Sequence, residues 1–154
     1  MVAAKTPKER LLLVTVQRTD DSGGRSDGSL LPTASLVHAI RAAGVRQLGA
    51  DPDADDAEAT SAAAHVRFYA PDAHACLVRV PLARSRLFRA AIPRVRFVNQ
   101  QPVRLTVVRA FGNVVLARRA LAALIERQLA LADGTGQARM RRLLSELSEL
   151  LHKR

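Results

Sequence analysis

The sequence predicts an α+β fold with the element order β-α-β-β-α-β and extra helices at the C-terminus. Two observations predict it. Apolar and polar residues alternate along short runs, which is typical of strands, and the intervening longer segments repeat apolar residues every three or four positions, as helices do. The chain has 154 residues, 48% of them hydrophobic, which suffices for one domain with its own core. The order is that of a ferredoxin-like sandwich.

The first strand is predicted at residues 9–18, and two polar segments are predicted to be mobile loops. The run from Leu11 to Val14 is apolar without interruption, so we expect a central strand that is covered on both faces. Residues 19–29 are rich in Asp, Ser and Gly and show no periodicity. Residues 50–61 are acidic but lack the glycine and the terminal glutamate spacing of a calcium loop, so a solvated insertion is expected.

The first helix is predicted to begin at Pro32 or Thr33 and to end near Leu48. Its apolar face consists of Leu36, Val37 and Ile40. Gly44 lowers the helix propensity of the second half by about 1 kcal/mol relative to alanine.

The next predicted elements are a hairpin and a short helix. The hairpin pairs residues 63–69 with residues 75–80 and turns at Pro71 and Asp72, and the helix runs from Ser85 to about Ile92. Pro93 should end that helix. Strict alternation in the hairpin predicts two sets of side chains on opposite faces: Val66, Phe68, Cys76, Val78 and Val80 on one, and Arg67, Tyr69, Leu77 and Arg79 on the other.

The last predicted strand, from about Val103 to Val108, leads through a tight turn into a long amphipathic helix that ends near Leu131. Gly112 permits a sharp turn, and Asn113 is a good N-cap because its side-chain oxygen can accept a first-turn amide. The helix presents, at spacings of three and four residues, Leu121, Leu124, Ile125, Gln128 and Leu129.

A final helix is predicted in the C-terminal extension, residues 133–154, which follows the single α+β domain of residues 1–132. Its apolar residues recur at spacings of 4, 3 and 4 and form a narrow seam: Met140, Leu144, Leu147 and Leu151. Such a seam is suited to docking on the chain's own sheet or on a partner protein, and we assign these four residues to protein docking.

The net charge of +10 is concentrated in one part of the chain. Residues 1–58 contain 7 basic and 9 acidic side chains, and residues 133–154 contain 5 basic and 3 acidic ones. Residues 59–132 contain 12 arginines against only Asp72 and Glu126. A folded segment this basic predicts a polyanionic partner.

Structured RNA is the polyanion that best fits this pattern. A sheet face with Arg67, Tyr69, Arg79 and Arg104 resembles in composition the RNA-reading face of RNA-recognition folds. Aromatic residues make up only 3% of the chain, so arginine contacts to the RNA backbone are expected to outweigh base stacking. Arg118 and Arg119 near the long helix's start predict a phosphate site, with a core helix and solvated arginines as the alternative.

No set of residues predicts catalysis, a metal or a cofactor. The histidines are not spaced as metal ligands, paired carboxylates are missing from the predicted folded segments, and no phosphate-binding glycine loop occurs. A lone Cys76 excludes an internal disulfide and fits a small buried residue. No apolar run is long enough to span a bilayer and no signal-peptide pattern begins the chain, so we expect a soluble intracellular protein.

Three segments, VRFYAPDAHACLVRV, SRLFRAAIPRV and PVRLTVVRAFGNVVLARRALAALIERQLA, occur in an order that resembles the Pop-five (Rpp-fourteen-related) protein subunits of ribonuclease P and ribonuclease MRP. The resemblance implies an RNA-binding subunit that braces the catalytic RNA and supports 5′-end maturation of precursor tRNA, or rRNA processing in ribonuclease MRP. It also implies other protein subunits as partners, catalysis by the RNA rather than by this chain, and a place in the nucleus, including the nucleolus.

The residues expected to contact RNA are Arg67, Tyr69, Arg79, Arg104, Arg109, Gly112, Asn113, Arg118 and Arg119. Two alternatives remain open. One is a small basic interaction protein that docks a partner through its leucine-rich C-terminal helix, and the other is a small enzyme on the same scaffold.

Overall fold

A computed structural model of the chain describes residues 8–19, 31–48, 63–131 and 134–152. Its strands are β1 (Glu9–Arg18), β2 (His65–Ala70), β3 (Ala75–Pro81), β4 (Phe97–Val98) and β5 (Gln101–Phe111), and its α-helices are α1 (Thr33–Gln47), α2 (Ser85–Ala91), α3 (Val114–Leu131) and α4 (Thr135–His152). The predicted α+β, ferredoxin-like fold is confirmed, with β4 as an additional short strand. Residues 20–29 of the first predicted loop and all of residues 50–61 lie outside the described residues.

β1 is the central strand of the sheet, as its sequence predicts. The strand order is β2-β3-β1-β5-β4, and every neighbouring pair is antiparallel. Leu12 and Val14 point to one face of the sheet, while Leu11 and Leu13 point to the other. Both faces of β1 are therefore packed against apolar side chains.

α1 and α2 cover one face of the sheet and enclose the first core. Its larger buried members are Leu12, Val14, Leu36, Ile40, Cys76, Val78, Phe88, Ile92 and Leu105. Gly44 lies where the two helices meet, since a Cβ atom there would be 2.5 Å from Cε1 of Phe88. The glycine that weakens α1 in the sequence is thus required by packing.

α3 and α4 cover much of the opposite face and enclose the second core. Its members include Leu11, Leu13, Leu77, Phe111, Ala117, Leu121, Ile125, Met140 and Leu147. The predicted N-cap is confirmed, because Oδ1 of Asn113 accepts a hydrogen bond from the Val115 amide at 2.7 Å. Arg139 of α4 donates two hydrogen bonds of 2.8 Å to the carboxylate of Asp72, tying α4 to the β2–β3 turn.

The seam on the C-terminal helix packs inside the chain. Met140 and Leu147 are fully buried in the second core, and Leu144 is partly buried against it. The assignment of Met140 and Leu147 to protein docking is therefore corrected, because the chain's own second core covers them. For the partly buried Leu144, protein docking stays a prediction. The side chain of Leu151 lies outside the described part.

One residue of β2 reverses part of the predicted face assignment. Phe68 has φ of 49°, and the β2–β3 register shifts between Arg67 and Ala70. As a result Phe68 packs against the second core and Tyr69 against the first, opposite to strict alternation. Tyr69 consequently lies on the face of α1 and α2 rather than beside Arg67, and burial raises the pKa of its hydroxyl to about 12.

Cys76 is completely buried in the first core, where burial raises the pKa of its thiol to about 12. This agrees with the sequence interpretation of a small buried residue. Among the described helices, none combines the length and apolar content needed to cross a bilayer.

Candidate nucleic-acid interface

Four predicted arginines lie on the sheet face that α3 and α4 partly cover, here called the arginine face. The strand register aligns Arg79 with Leu11, Arg109 with Leu13, and Arg104 with Gln17, and it pairs Arg67 with Leu77. Cross-strand partners point to the same side of a sheet. The sequence prediction that Arg67, Arg79 and Arg104 share a face is therefore confirmed, and Arg109 joins them.

α3 divides the arginine face into two basic patches. The helix contacts β1, β3, β5 and the β2–β3 turn, and it buries Phe111, Leu13 and Leu77 beneath it. His65, Arg67 and Arg79 remain near the β2 edge, and we call them, with Arg41, the edge patch. Arg104 and Arg109 remain exposed along β5, and we call them the β5 patch.

The edge patch surrounds one imidazole with guanidinium groups. Arg41 donates from Nε to the Ala64 carbonyl at 2.9 Å and from Nη2 to Nδ1 of His65 at 3.4 Å. Since arginine can only donate, this bond requires the neutral imidazole. Partial burial and the nearby charges of Arg79, Arg41 and Arg67 lower the pKa of His65 below 6.5. Phosphate oxygens would be attracted to this concentration of positive charge.

A single carboxylate among the described residues opposes the edge patch. Glu9 lies 3.6 Å from Nε of Arg79, and both side chains are partly exposed, so the pair contributes little to stability. Arg41 and His65 were not among the predicted site residues. One lies in a helix and the other in a strand, 24 positions apart, so no spacing pattern could have paired them.

The β5–α3 turn adds further positive charge. The guanidinium of Arg109 lies 5.1 Å from the ring centroid of Phe111. Gly112 and Asn113 are both exposed, and a Cβ atom at Gly112 would be 3.1 Å from Nη1 of Arg10. Arg10 therefore lies against this turn, although sequence analysis did not select it.

Arg118 and Arg119 diverge at the start of α3, as adjacent helical residues must. Arg119 is exposed, which confirms that at least one of the pair reaches solvent. Arg118 is partly buried, with its guanidinium 5.3 Å from the ring centroid of Phe68. Its Nε is buried and makes no hydrogen bond within the described residues. Of the predicted RNA contacts, only Tyr69 is placed away from the other residues, in the first core.

The edge patch and the β5 patch can bind anions. The described residues include no group of three or more His, Cys, Asp or Glu side chains that could hold a metal ion. Guanidinium groups suit phosphate because they donate in a planar fork and stay charged at any physiological pH. Asp72, one of the two acids among residues 59–132, is already paired with Arg139. Within that segment, little negative charge remains to neutralise the two patches.

No protein-family model matches the sequence, and no curated protein matches it either. Among solved structures, the fold resembles a chain in the cryo-EM structure of yeast ribonuclease MRP. The likeness covers 96% of this chain and 96% of that chain, with a TM-score of 0.51 and 9% sequence identity. At this level of identity, the comparison establishes that the two chains share a fold.

Proposed function

We propose that this protein is an RNA-binding subunit of a ribonucleoprotein of the ribonuclease P or ribonuclease MRP type. The observation that carries the proposal is the pair of basic patches on either side of α3, whose residues, except Arg41, come from a segment with 12 arginines and two acids. The shared fold with a chain of yeast ribonuclease MRP supports the same conclusion. So does the resemblance of three sequence segments to the Pop-five subunits.

The role of the protein in such a particle would be electrostatic. Folded RNA segments repel one another, and guanidinium groups between them replace condensed counterions and lower that repulsion. Backbone contacts fix position without reading sequence, so the RNA would be recognised by its shape. The chain would brace the catalytic RNA, alongside other protein subunits, while the RNA performs cleavage of precursor tRNA or rRNA. A protein with this function would work in the nucleus.

The decisive experiment compares two charge-neutralised variants. Arg104→Gln with Arg109→Gln removes the β5 patch, and Arg86→Gln with Arg89→Gln removes the same charge from exposed positions on α2, which covers the other sheet face. Each tagged protein is purified from its native cells and the bound RNA is sequenced.

The wild type and the α2 variant should co-purify with one defined non-coding RNA, and the β5 variant should recover at least tenfold less of it. This expectation assumes two lost charge-assisted contacts, each contributing about 1.5–3 kcal/mol. Equal losses from both variants would indicate general charge attraction. Recovery of no defined RNA with the wild type would refute the proposed function.

A further inference from the structure

A groove separates α1 from the β4–β5 hairpin, on the opposite side of the sheet from the arginine face. Its volume is about 460 Å³, within the range of about 300–1,000 Å³ that pockets for small molecules occupy. Small side chains of α1, Ala39 and Ala42, form one wall, and Phe97 and Asn99 of the hairpin form the other. His38 and Arg46 of α1 also line the groove.

Phe97 stands out among the aromatic side chains. It is 62% exposed, whereas the other three phenylalanines and the single tyrosine are buried or partly buried in the two cores. Its neighbour Val98 is fully packed in the first core, so β4 is anchored while the Phe97 ring projects from it. Asn99 and Gln100, with φ of 51° and 66°, close the tight turn that fixes the strand next to the groove.

The lining of the groove carries positive charge at Arg46 and includes no aspartate or glutamate. The two segments that supply the lining, residues 31–48 and 92–104, likewise contain no acidic residue. Their other arginines do not line the groove, since Arg41 belongs to the edge patch and Arg104 to the β5 patch. An occupant that combines a flat apolar surface with negative charge matches this lining.

We propose that the groove binds one unpaired nucleotide of an RNA, with its base stacked on Phe97 and its phosphate paired with Arg46. Aromatic rings hold single-stranded bases by stacking, and arginines follow the connecting backbone. His38 and Asn99 supply side-chain donors and acceptors at the rim for the edge of the base. This inference rests on the proposed function and adds to it a second contact, which the arginine face, with its backbone recognition, does not provide.

An apolar protein segment is the competing occupant, and the charge of Arg46 in the lining argues against it. A hydrophobic peptide would cover Phe97 but leave Arg46 without a partner, at a desolvation cost. A nucleotide satisfies both side chains at once. The ring projects singly from β4, so it can stack on one base that is free of its own partner, whereas the bases of a duplex are already stacked and paired.

The absence of tryptophan from the chain permits a direct test. Phe97→Trp places a fluorescent stacking platform in the groove of the full-length protein. Leu131→Trp, at a position that is 83% exposed at the end of α3, provides the matched reporter elsewhere. Each variant is titrated with a short oligouridylate and with an oligomer of the same length that carries phosphates and sugars but no bases.

The oligouridylate should strongly quench the indole fluorescence of the Phe97→Trp variant and the base-free oligomer should not, while the Leu131→Trp variant responds equally weakly to both. In a separate binding assay, Phe97→Ala should weaken oligouridylate affinity by roughly 5- to 150-fold, the range measured for loss of one stacked base. Leu82→Ala, at another partly exposed apolar position outside the groove, should leave the affinity unchanged.

Three results would overturn the inference: identical quenching of the Phe97→Trp variant by both oligomers, no quenching of that variant by either, or unchanged affinity for Phe97→Ala in a protein whose melting temperature matches the wild type. If the groove holds a protein segment instead, one of these results follows, but a defined RNA still co-purifies with the wild-type protein. In that case the proposed function stands. If the wild type binds neither oligouridylate nor any cellular RNA, the proposed function fails with it.

Discussion

At the residue scale, Arg118 combines packing against Phe68 with a positive charge, and a substitution can separate the two. Its guanidinium lies over the ring of Phe68, while its buried Nε lacks a hydrogen bond within the described residues. A buried donor without a partner costs about 1–3 kcal/mol. Packing therefore favours a long side chain at this position, and the cost of the unsatisfied donor offsets the cation–π contribution of the charge, about 0.5–1 kcal/mol.

We predict that Arg118→Met will leave the free energy of unfolding unchanged or raise it slightly, because methionine keeps the packing and removes the unsatisfied donor. RNA affinity should fall by about 3- to 30-fold if the charge contacts phosphate. Urea denaturation and filter binding measure the two effects. Arg119→Met, at the exposed neighbour, should lower affinity without changing stability. A destabilised Arg118→Met variant with full RNA affinity would make Arg118 a structural residue only.

His65 should report phosphate binding through its titration. Its pKa lies below 6.5 in the folded chain, so that chain binds the proton more weakly than the unfolded one. Stability from this group is therefore present above pH 6.5 and decreases as the pH falls through the folded pKa. A phosphate held by Arg67 or Arg79 would bring negative charge close to the imidazole. We predict that RNA raises the pKa of His65, as measured by NMR titration of the ring protons. An unchanged pKa would place the RNA away from the edge patch.

Some of these residue-level features follow from sequence and others do not. The Asn113 cap and the divergence of Arg118 and Arg119 depend on local rules, and both were predicted. The exchange of Phe68 and Tyr69 depends on one positive φ angle in a residue that rarely adopts it. No alternation rule anticipates such a bulge.

At the scale of elements, the contact between α1 and α2 depends on the absence of a side chain. We predict that Gly44→Ala will destabilise the protein by about 1–3 kcal/mol, although alanine is the better helix former, because its Cβ would meet the Phe88 ring at 2.5 Å. Urea denaturation gives the change. Combining Gly44→Ala with Phe88→Leu should cost less than the sum of the two single changes. Additive costs would show that the two positions are not in contact.

The packing of α4 gives the second prediction at this scale. Leu147→Ala should lower the free energy of unfolding by about 2–5 kcal/mol, because it leaves a cavity in the second core. Leu144→Ala, at a partly buried position in the same helix, should cost clearly less. Thermal melts of both variants provide the comparison. If Leu147→Ala melts like the wild type, α4 does not contribute to the core and its seam is available to a partner after all.

The order of elements was predictable because it depends on periodicity that each segment carries by itself. What the C-terminal seam packs against was not predictable, because an apolar stripe at helical spacing fits the chain's own sheet and a helix of a partner protein equally well. β4 was missed because two residues are too few to show a period. The edge patch was only partly predicted, because Arg41 reaches His65 through tertiary packing.

For the whole molecule, the concentrated charge predicts strong salt dependence. Affinity for structured RNA should fall linearly on a plot of log K against log salt, because each neutralised phosphate releases counterions. Removing Arg104 and Arg109 together should reduce the magnitude of the slope by about two. Fluorescence anisotropy across a salt series measures it, and Arg86→Gln with Arg89→Gln serves as the control. An affinity that is constant between low and moderate salt would contradict electrostatic binding.

The single thiol of the chain, on β3 in the first core, can report how often the native protein opens. Because Cys76 is fully buried and its ionisation is suppressed, a thiol reagent can modify it only after the sheet separates from α1 and α2. The rate of labelling then measures how often the native molecule opens. An RNA that binds only the folded chain slows this labelling in proportion to its occupancy, which gives its dissociation constant without a dye, a tag or a mutation.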